Sequence, residues 1–211
     1  MTGTALAYTH RFEPASVPGR PTLLLLHGTG GDEHDLLPLG RMLAPGAALL
    51  SPRGNVLELG APRFFRRYAV GVFDTADIAR RAGELVEFLR SASTRYGFAL
   101  DNVVAVGFSN GANMAGAVML LHPDALRRAV LLRAQPVLDD KQLAPSPGAL
   151  AGARALLAAG RSDPVVPAAE TERLARALRD RGAEVTLRWD DAGHTLTKGD
   201  VEAAALWIAG L

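Results

Sequence analysis

The chain contains no cysteine, which excludes disulfides, thiolate metal sites and a cysteine nucleophile. A dominant charge is also missing: 23 basic residues against 22 acidic ones leave a formal net charge of +1. Such a balance offers no general attraction for nucleic acid or acidic membranes, so no nucleic-acid partner is expected. No apolar run approaches the ~20 residues needed to cross a bilayer. The longest are interrupted by Arg154 or His122. Residues 1–11 lack a basic stretch followed by an apolar core of signal-peptide length. The expectation is a cytoplasmic protein without membrane insertion. Internal repeats, low-complexity tracts and linkers are absent as well, so residues 1–211 read as one domain.

Hydrophobic residues make up 48% and charged residues 21% of the 211 positions, the usage of a folded globular chain with a sizeable core. They are arranged as an alternation. Short apolar runs of strand length precede longer stretches of helical period. Strands are predicted over 22–27 (TLLLLH), 47–51, 103–107 (VVAVG), 129–133, 155–159 (ALLAA) and 185–189 (VTLRW), with an antiparallel edge strand over 6–12. Runs apolar at consecutive positions are those of a parallel sheet covered on both faces. Helices are predicted over 75–96, with Thr75 as N-cap, and over 110–121, 167–181 and 201–209. The fold class is therefore α/β, a doubly wound and mostly parallel sheet. Ligands bind such sheets at the carboxyl ends of the strands, so the residues just past each strand carry the argument.

Gly107-Phe108-Ser109-Asn110-Gly111 follows one strand and opens a helix. G-x-S-x-G in that setting is a sharp turn that exposes the serine hydroxyl as a nucleophile. Past residues 155–159 comes Gly160-Arg161-Ser162-Asp163-Pro164. A carboxylate there can hold a histidine in one tautomer and stabilise its cation, although Asp-Pro also suits a plain turn. Past residues 185–189 comes Asp190-Asp191-Ala192-Gly193-His194. His194 sits where a base can accept the serine proton and return it to a leaving group. Asp190 and Asp191 remain fallback candidates for the acid. The order Ser109, Asp163, His194 is that expected of catalytic residues on this architecture.

The turn His27-Gly28-Thr29-Gly30-Gly31 can aim backbone N–H groups at an oxyanion. It is not a Walker loop, because no Lys-Ser/Thr follows, nor a dinucleotide fingerprint, because position 33 is Glu33. His27 ends an apolar strand and reads as a residue that orders the turn. Residues 32–35 (DEHD) are consecutive and splay around a helix start, so no metal site is expected. Residues 52–67 form a long connection with Phe64 and Phe65 flanked by arginines. Such loops are often functional, and a packed core role for the two rings is the competing reading.

Together, LLLLHGTGGDEHDL, SPRGNVLELGAPRFFRR, VVAVGFSNGAN, AAGRSDPVVP and AGH resemble the α/β-hydrolase fold over nearly the whole chain. Within it they resemble the small carboxylesterase/phospholipase family that includes acyl-protein thioesterases. The PRG and PRFFRR segment is similar to the bacterial branch linked to hydroquinone stress. The resemblance implies a minimal fold without a lid domain. It implies Ser109 as nucleophile, Asp163 as acid, His194 as base, and the Thr29 and Asn110 amides as the oxyanion hole. It implies a substrate pocket involving Phe64 and Phe65, with Arg63 beside them. Arg53, Arg63, Arg66 and Arg67 depart from the thioesterase pattern and favour a substrate carrying a carboxylate. The implied activity is hydrolysis of small-molecule carboxylic esters or thioesters of small or medium acyl groups, with no cofactor and with a homodimer as one assembly. Lysophospholipase, acyl-protein thioesterase, peptidase and non-catalytic ligand-binding readings stand as alternatives.

Overall fold

The computed structural model describes residues 6–144 and 146–211. Residues 1–5, part of the stretch read for a leader, lie outside the described residues. In chain order the elements are β1 (His10–Glu13), β2 (Thr22–Leu26), α1 (Leu37–Leu43), β3 (Ala48–Pro52), β4 (Val56–Glu58), β5 (Ala61–Arg63), β6 (Arg67–Ala69), β7 (Val72–Phe73) and α2 (Thr75–Tyr96). They continue with β8 (Val103–Phe108), α3 (Asn110–Leu121), β9 (Arg128–Leu132), α4 (Asp140–Leu143), β10 (Arg154–Gly160), α5 (Ala168–Arg179), β11 (Glu184–Asp190) and α6 (Lys198–Ala209).

Seven strands form one sheet in the order β1-β3-β2-β8-β9-β10-β11. Only β1 is antiparallel, pairing His10 with Pro52 and Glu13 with Leu49. The edge strand is thus shorter and shifted later than the predicted 6–12. Both faces are covered. Leu24 and Leu26 of β2 join the core beneath α2, α3 and α5, while Leu23 and Leu25 join the core beneath α1 and α6. That is why every residue of β2 is buried. Each such leucine contributes roughly 1.5–3 kcal/mol on burial.

Two elements differ from expectation for local reasons. Asp74, not Thr75, caps α2, its carboxylate accepting from the Asp77 amide. The connection after β3 is not a plain loop but two hairpins, β4–β5 and β6–β7. Their strands are only two or three residues long, too short for a period-2 pattern to emerge from the sequence. Among the described residues, no helix is long and apolar enough to cross a membrane.

Candidate active site

Three strand ends converge. The turn between β8 and α3 holds Ser109 at φ 50°, ψ −113°, a backbone region costly for any residue with a side chain. Its neighbours make the turn possible. A Cβ on Gly107 would lie 2.5 Å from Ala112 backbone atoms, and one on Gly111 would lie 2.0 Å from the Leu26 carbonyl oxygen. Only glycine lets β8, α3 and β2 approach this closely. The Ser109 amide donates to Leu132 O at 2.9 Å, which ties the turn to the end of β9.

The hydroxyl Oγ of Ser109 is 2.8 Å from His194 Nε2. His194 Nδ1 is 2.8 Å from Asp163 Oδ2. Asp163 Oδ1 accepts from the amides of Val165 at 2.8 Å and Val166 at 3.0 Å. The carboxylate is thereby aimed by its own turn, as an Asx turn would aim it, and its side chain is 1% exposed. Hence residues from three separate strand ends form one continuous chain of hydrogen bonds. The fallback acids lie elsewhere: Asp190 binds Thr197 Oγ1, and Asp191 pairs with Arg161 at 3.3 Å on the surface.

Sequence reasoning missed Arg133. It follows β9 at φ 57° and is fully buried. Its guanidinium donates to Gly193 O at 2.9 Å and Thr195 O at 2.7 Å, the carbonyls on either side of His194. It also donates to Ala158 O at 3.0 Å and Asp200 Oδ2 at 2.6 Å. The planar five-donor fork of arginine suits this task. No local motif announces it. The faint signal is a charged residue ending an apolar strand.

On the other flank, Thr29 is exposed, and its Oγ1 accepts from Arg63 Nη1 at 2.6 Å. Among the described residues the Thr29 and Asn110 amides have no hydrogen-bond partner, and Asn110 is the first residue of α3, where amides are free for an anion. Thr29, Arg63, Arg67, Phe73, Ser109 and Asn110 line one small cleft. It adjoins a cavity of about 430 Å³ bordered by Phe73, Gln135, Pro136, Leu138 and Val165. A cavity of about 540 Å³ at the opposite end, between Met42 and Ile208, has no nucleophile or histidine in its lining among the described residues.

Phe64 and Phe65 do not line the cleft. Both are 0% exposed. Phe64 packs against His27 with ring centroids 4.8 Å apart, and its amide donates to Asn110 Oδ1 at 2.8 Å. The aromatic face in the cleft belongs to Phe73. The two adjacent phenylalanines are drawn inward because the Phe64 amide, just before the first ring, is pinned to Asn110 of α3, and apolar rings so placed gain more by burial than by exposure.

His27 orders the turn beneath Thr29. Its Nδ1–H donates to Gly28 O at 2.6 Å, and Nε2 accepts from the Gly54 amide at 2.9 Å. That pattern needs the neutral ring. Burial pushes its pKa below the ordinary 6.5. The unfolded chain therefore takes up the proton first as pH falls, and stability is lost from about pH 6.5 down towards the depressed value. Between about pH 7 and about pH 5, the wild type is expected to lose more stability in chemical denaturation than H27N, by up to about 1.4 kcal/mol per pH unit. Parallel pH curves for the two proteins would contradict this.

Residues 9–210 match the model of the phospholipase/carboxylesterase family. The chain belongs to that family. MhqD of Bacillus subtilis (strain 168) is 44% identical over 185 residues, covering 88% of this chain and 90% of that protein. The crystal structure of a Bacillus cereus carboxylesterase matches with TM-score 0.91 and 45% identity over 97% of this chain and 94% of that one. A carboxylesterase from Mesorhizobium loti matches with TM-score 0.90 and 36% identity over 99% and 97%. The family membership makes the sheet an α/β-hydrolase fold and the protein an esterase-type hydrolase of small-molecule esters. In this carboxylesterase-family chain the two short hairpins contribute Arg63, Arg67 and Phe73 to the cleft lining, and among the described residues no lid domain is evident.

Proposed function

We propose that the protein cleaves carboxylic esters of small or medium acyl groups through an acyl-enzyme, with Ser109 as nucleophile, His194 as base and Asp163 as acid. The observation that carries this reading is the unbroken chain from Asp163 Oδ2 through His194 to Ser109 Oγ, 2.8 Å at each link. Ser109 Oγ–H donates to Nε2, while Nδ1–H donates to the carboxylate, which fixes the tautomer that leaves Nε2 basic.

As Oγ attacks the ester carbonyl, His194 takes its proton and Asp163 stabilises the imidazolium. The carbonyl oxygen gains charge and meets the Thr29 amide in the turn after β2 and the Asn110 amide at the start of α3. Each donor aimed at that charge is worth about 3 kcal/mol in the transition state. His194 then protonates the departing alcohol. Water enters, gives its proton to His194, and releases the acid by the same steps. The partnerless state of both amides supports this role, since an occupied donor has nothing to offer the oxyanion.

The test is covalent. A fluorophosphonate reagent is expected to add one phosphonyl group to the intact protein, with the adduct mapping to Ser109 by peptide mass. Absence of the adduct, or its appearance elsewhere, would overturn the assignment.

A further inference from the structure

Four arginines lie in the connection after β3, and their partners divide them. Arg53 binds Glu33 through two hydrogen bonds of 2.5 and 2.9 Å. Arg66 binds Asp74 at 2.7 Å with Asp77 at 3.8 Å. Those two lie outside the cleft and each has carboxylate enough. Arg63 and Arg67 lie in the cleft and share a single carboxylate, Glu58, at 3.2 and 2.9 Å. Two cations against one anion leave a positive charge uncompensated. The side chain of Arg63 is only 3% exposed, so water screens little of it. Burial, and then the cation of Arg67, disfavour its charged form. Among the described residues, no acidic residue lines the cleft. Asn110, 2% exposed, also lines it, and its buried Nδ2 has no partner among the described residues. A buried excess cation beside an unused donor is a site built for an anion.

The position of that anion relative to the reacting bond follows from the sheet order. His194 must touch the leaving atom, and it stands on the β10–β11 side of Ser109. The oxyanion takes the Thr29 and Asn110 amides, and the acyl chain takes the remaining opening, the cleft between Ser109, Arg63, Arg67 and Phe73. Arg63 stands there, one hydrogen bond from Thr29. We propose that the preferred substrates are esters whose short acyl chain ends in a carboxylate, held by Arg63 and Arg67. This rests on the esterase reading above and adds the substrate class.

The experiment compares p-nitrophenyl hemiesters of succinic and glutaric acid with p-nitrophenyl butyrate and valerate, matched in chain length and corrected for spontaneous hydrolysis. The wild type is expected to favour the anionic member of each pair in kcat/KM by on the order of tenfold or more, the scale of a charge-assisted hydrogen bond. Added salt should raise KM for the anionic esters alone, since screening weakens only the charged contact. In R63Q the anionic-to-neutral ratio should fall to about one, chiefly through KM. In R67Q, whose parent side chain is less buried, the ratio should fall part of the way. If R63Q does not fold by circular dichroism, the wild-type ratio, its salt dependence and R67Q decide. Butyrate cleaved as well as the hemisuccinate by the wild type, or a ratio unmoved in both folded variants, overturns the carboxylate proposal and leaves the esterase reading standing. No turnover of any ester, with no adduct on Ser109, overturns both.

Discussion

Ser109→Ala is expected to lower kcat for a short p-nitrophenyl ester by a factor on the order of 10⁴ or more, the range in which hydrolases lose their nucleophile. In the proposed mechanism the hydroxyl is what reacts, and among the described residues nothing else in the cleft replaces it: Thr29 Oγ1 accepts from Arg63 and has no base beside it. The fold should be untouched. Alanine keeps the Cβ that the turn already tolerates at φ 50°, and the lost hydrogen bond to His194 is at a half-buried position. A thermal midpoint within a few degrees of the wild type is expected, with the large change confined to turnover. Variant activity above one per cent of wild type would remove Ser109 from the mechanism. An unfolded variant would instead make the serine structural.

Arg133→Met is expected to cost about 3–5 kcal/mol, the usual penalty for leaving one member of a buried ion pair alone. Arg133 and Asp200 have side chains 0% and 1% exposed, 2.6 Å apart. Removing the guanidinium leaves the Asp200 carboxylate without its cation and unties the carbonyls of Gly193 and Thr195 together, while Ala158 O keeps only the Arg133 amide. For a chain of this length that energy corresponds to a fall in Tm of roughly 6–20 °C. Activity should fall at temperatures where the variant is still folded, because the two carbonyls that frame His194 lose their clamp. Arg133→Lys tests the geometry separately from the charge. A single ammonium cannot span the three carbonyls and the carboxylate, so the lysine variant should recover part of the stability and little of the turnover. A Tm within about 2 °C of wild type for Arg133→Met, measured by calorimetry, would show that the clamp is dispensable.

Much of this arrangement is readable from local sequence, and the rest is hidden for identifiable reasons. The central strands announce themselves because both faces are covered, so β2 is apolar at every position but its first. The turn at Ser109 is legible because glycine at 107 and 111 is a steric requirement of three backbones meeting, not a preference. Asp163 and His194 are legible from their places just past strand ends. Arg133 is not, because its partners lie 60, 62 and 67 residues downstream, and no short pattern encodes a contact at that range. The hairpins after β3 are not legible either. Their strands are held by one another and, for β4–β5, by the Gly30 amide on Pro62 O rather than by an apolar stripe. Phe64 and Phe65 mislead for a related reason. Arginine neighbours suggest a surface, yet the Arg63 side chain is itself buried, and the segment turns its rings inward.

How the β4–β5 hairpin is fastened has a further meaning. Beside the side-chain bonds of Arg63 and Glu58, three of its attachments are made by main-chain atoms: Pro62 O accepts from the Gly30 amide at 3.0 Å, the Phe64 amide donates to Asn110 at 2.8 Å, and the Gly54 amide donates to His27 at 2.9 Å. Peptide groups are common to all residues, so that part of the mooring is indifferent to which side chains the hairpin carries at its exposed positions. The exposed side chains at 57 and 59 can thus be exchanged as one would change the bit in a drill chuck, while the grip, and the chemistry beneath it, are inherited unchanged.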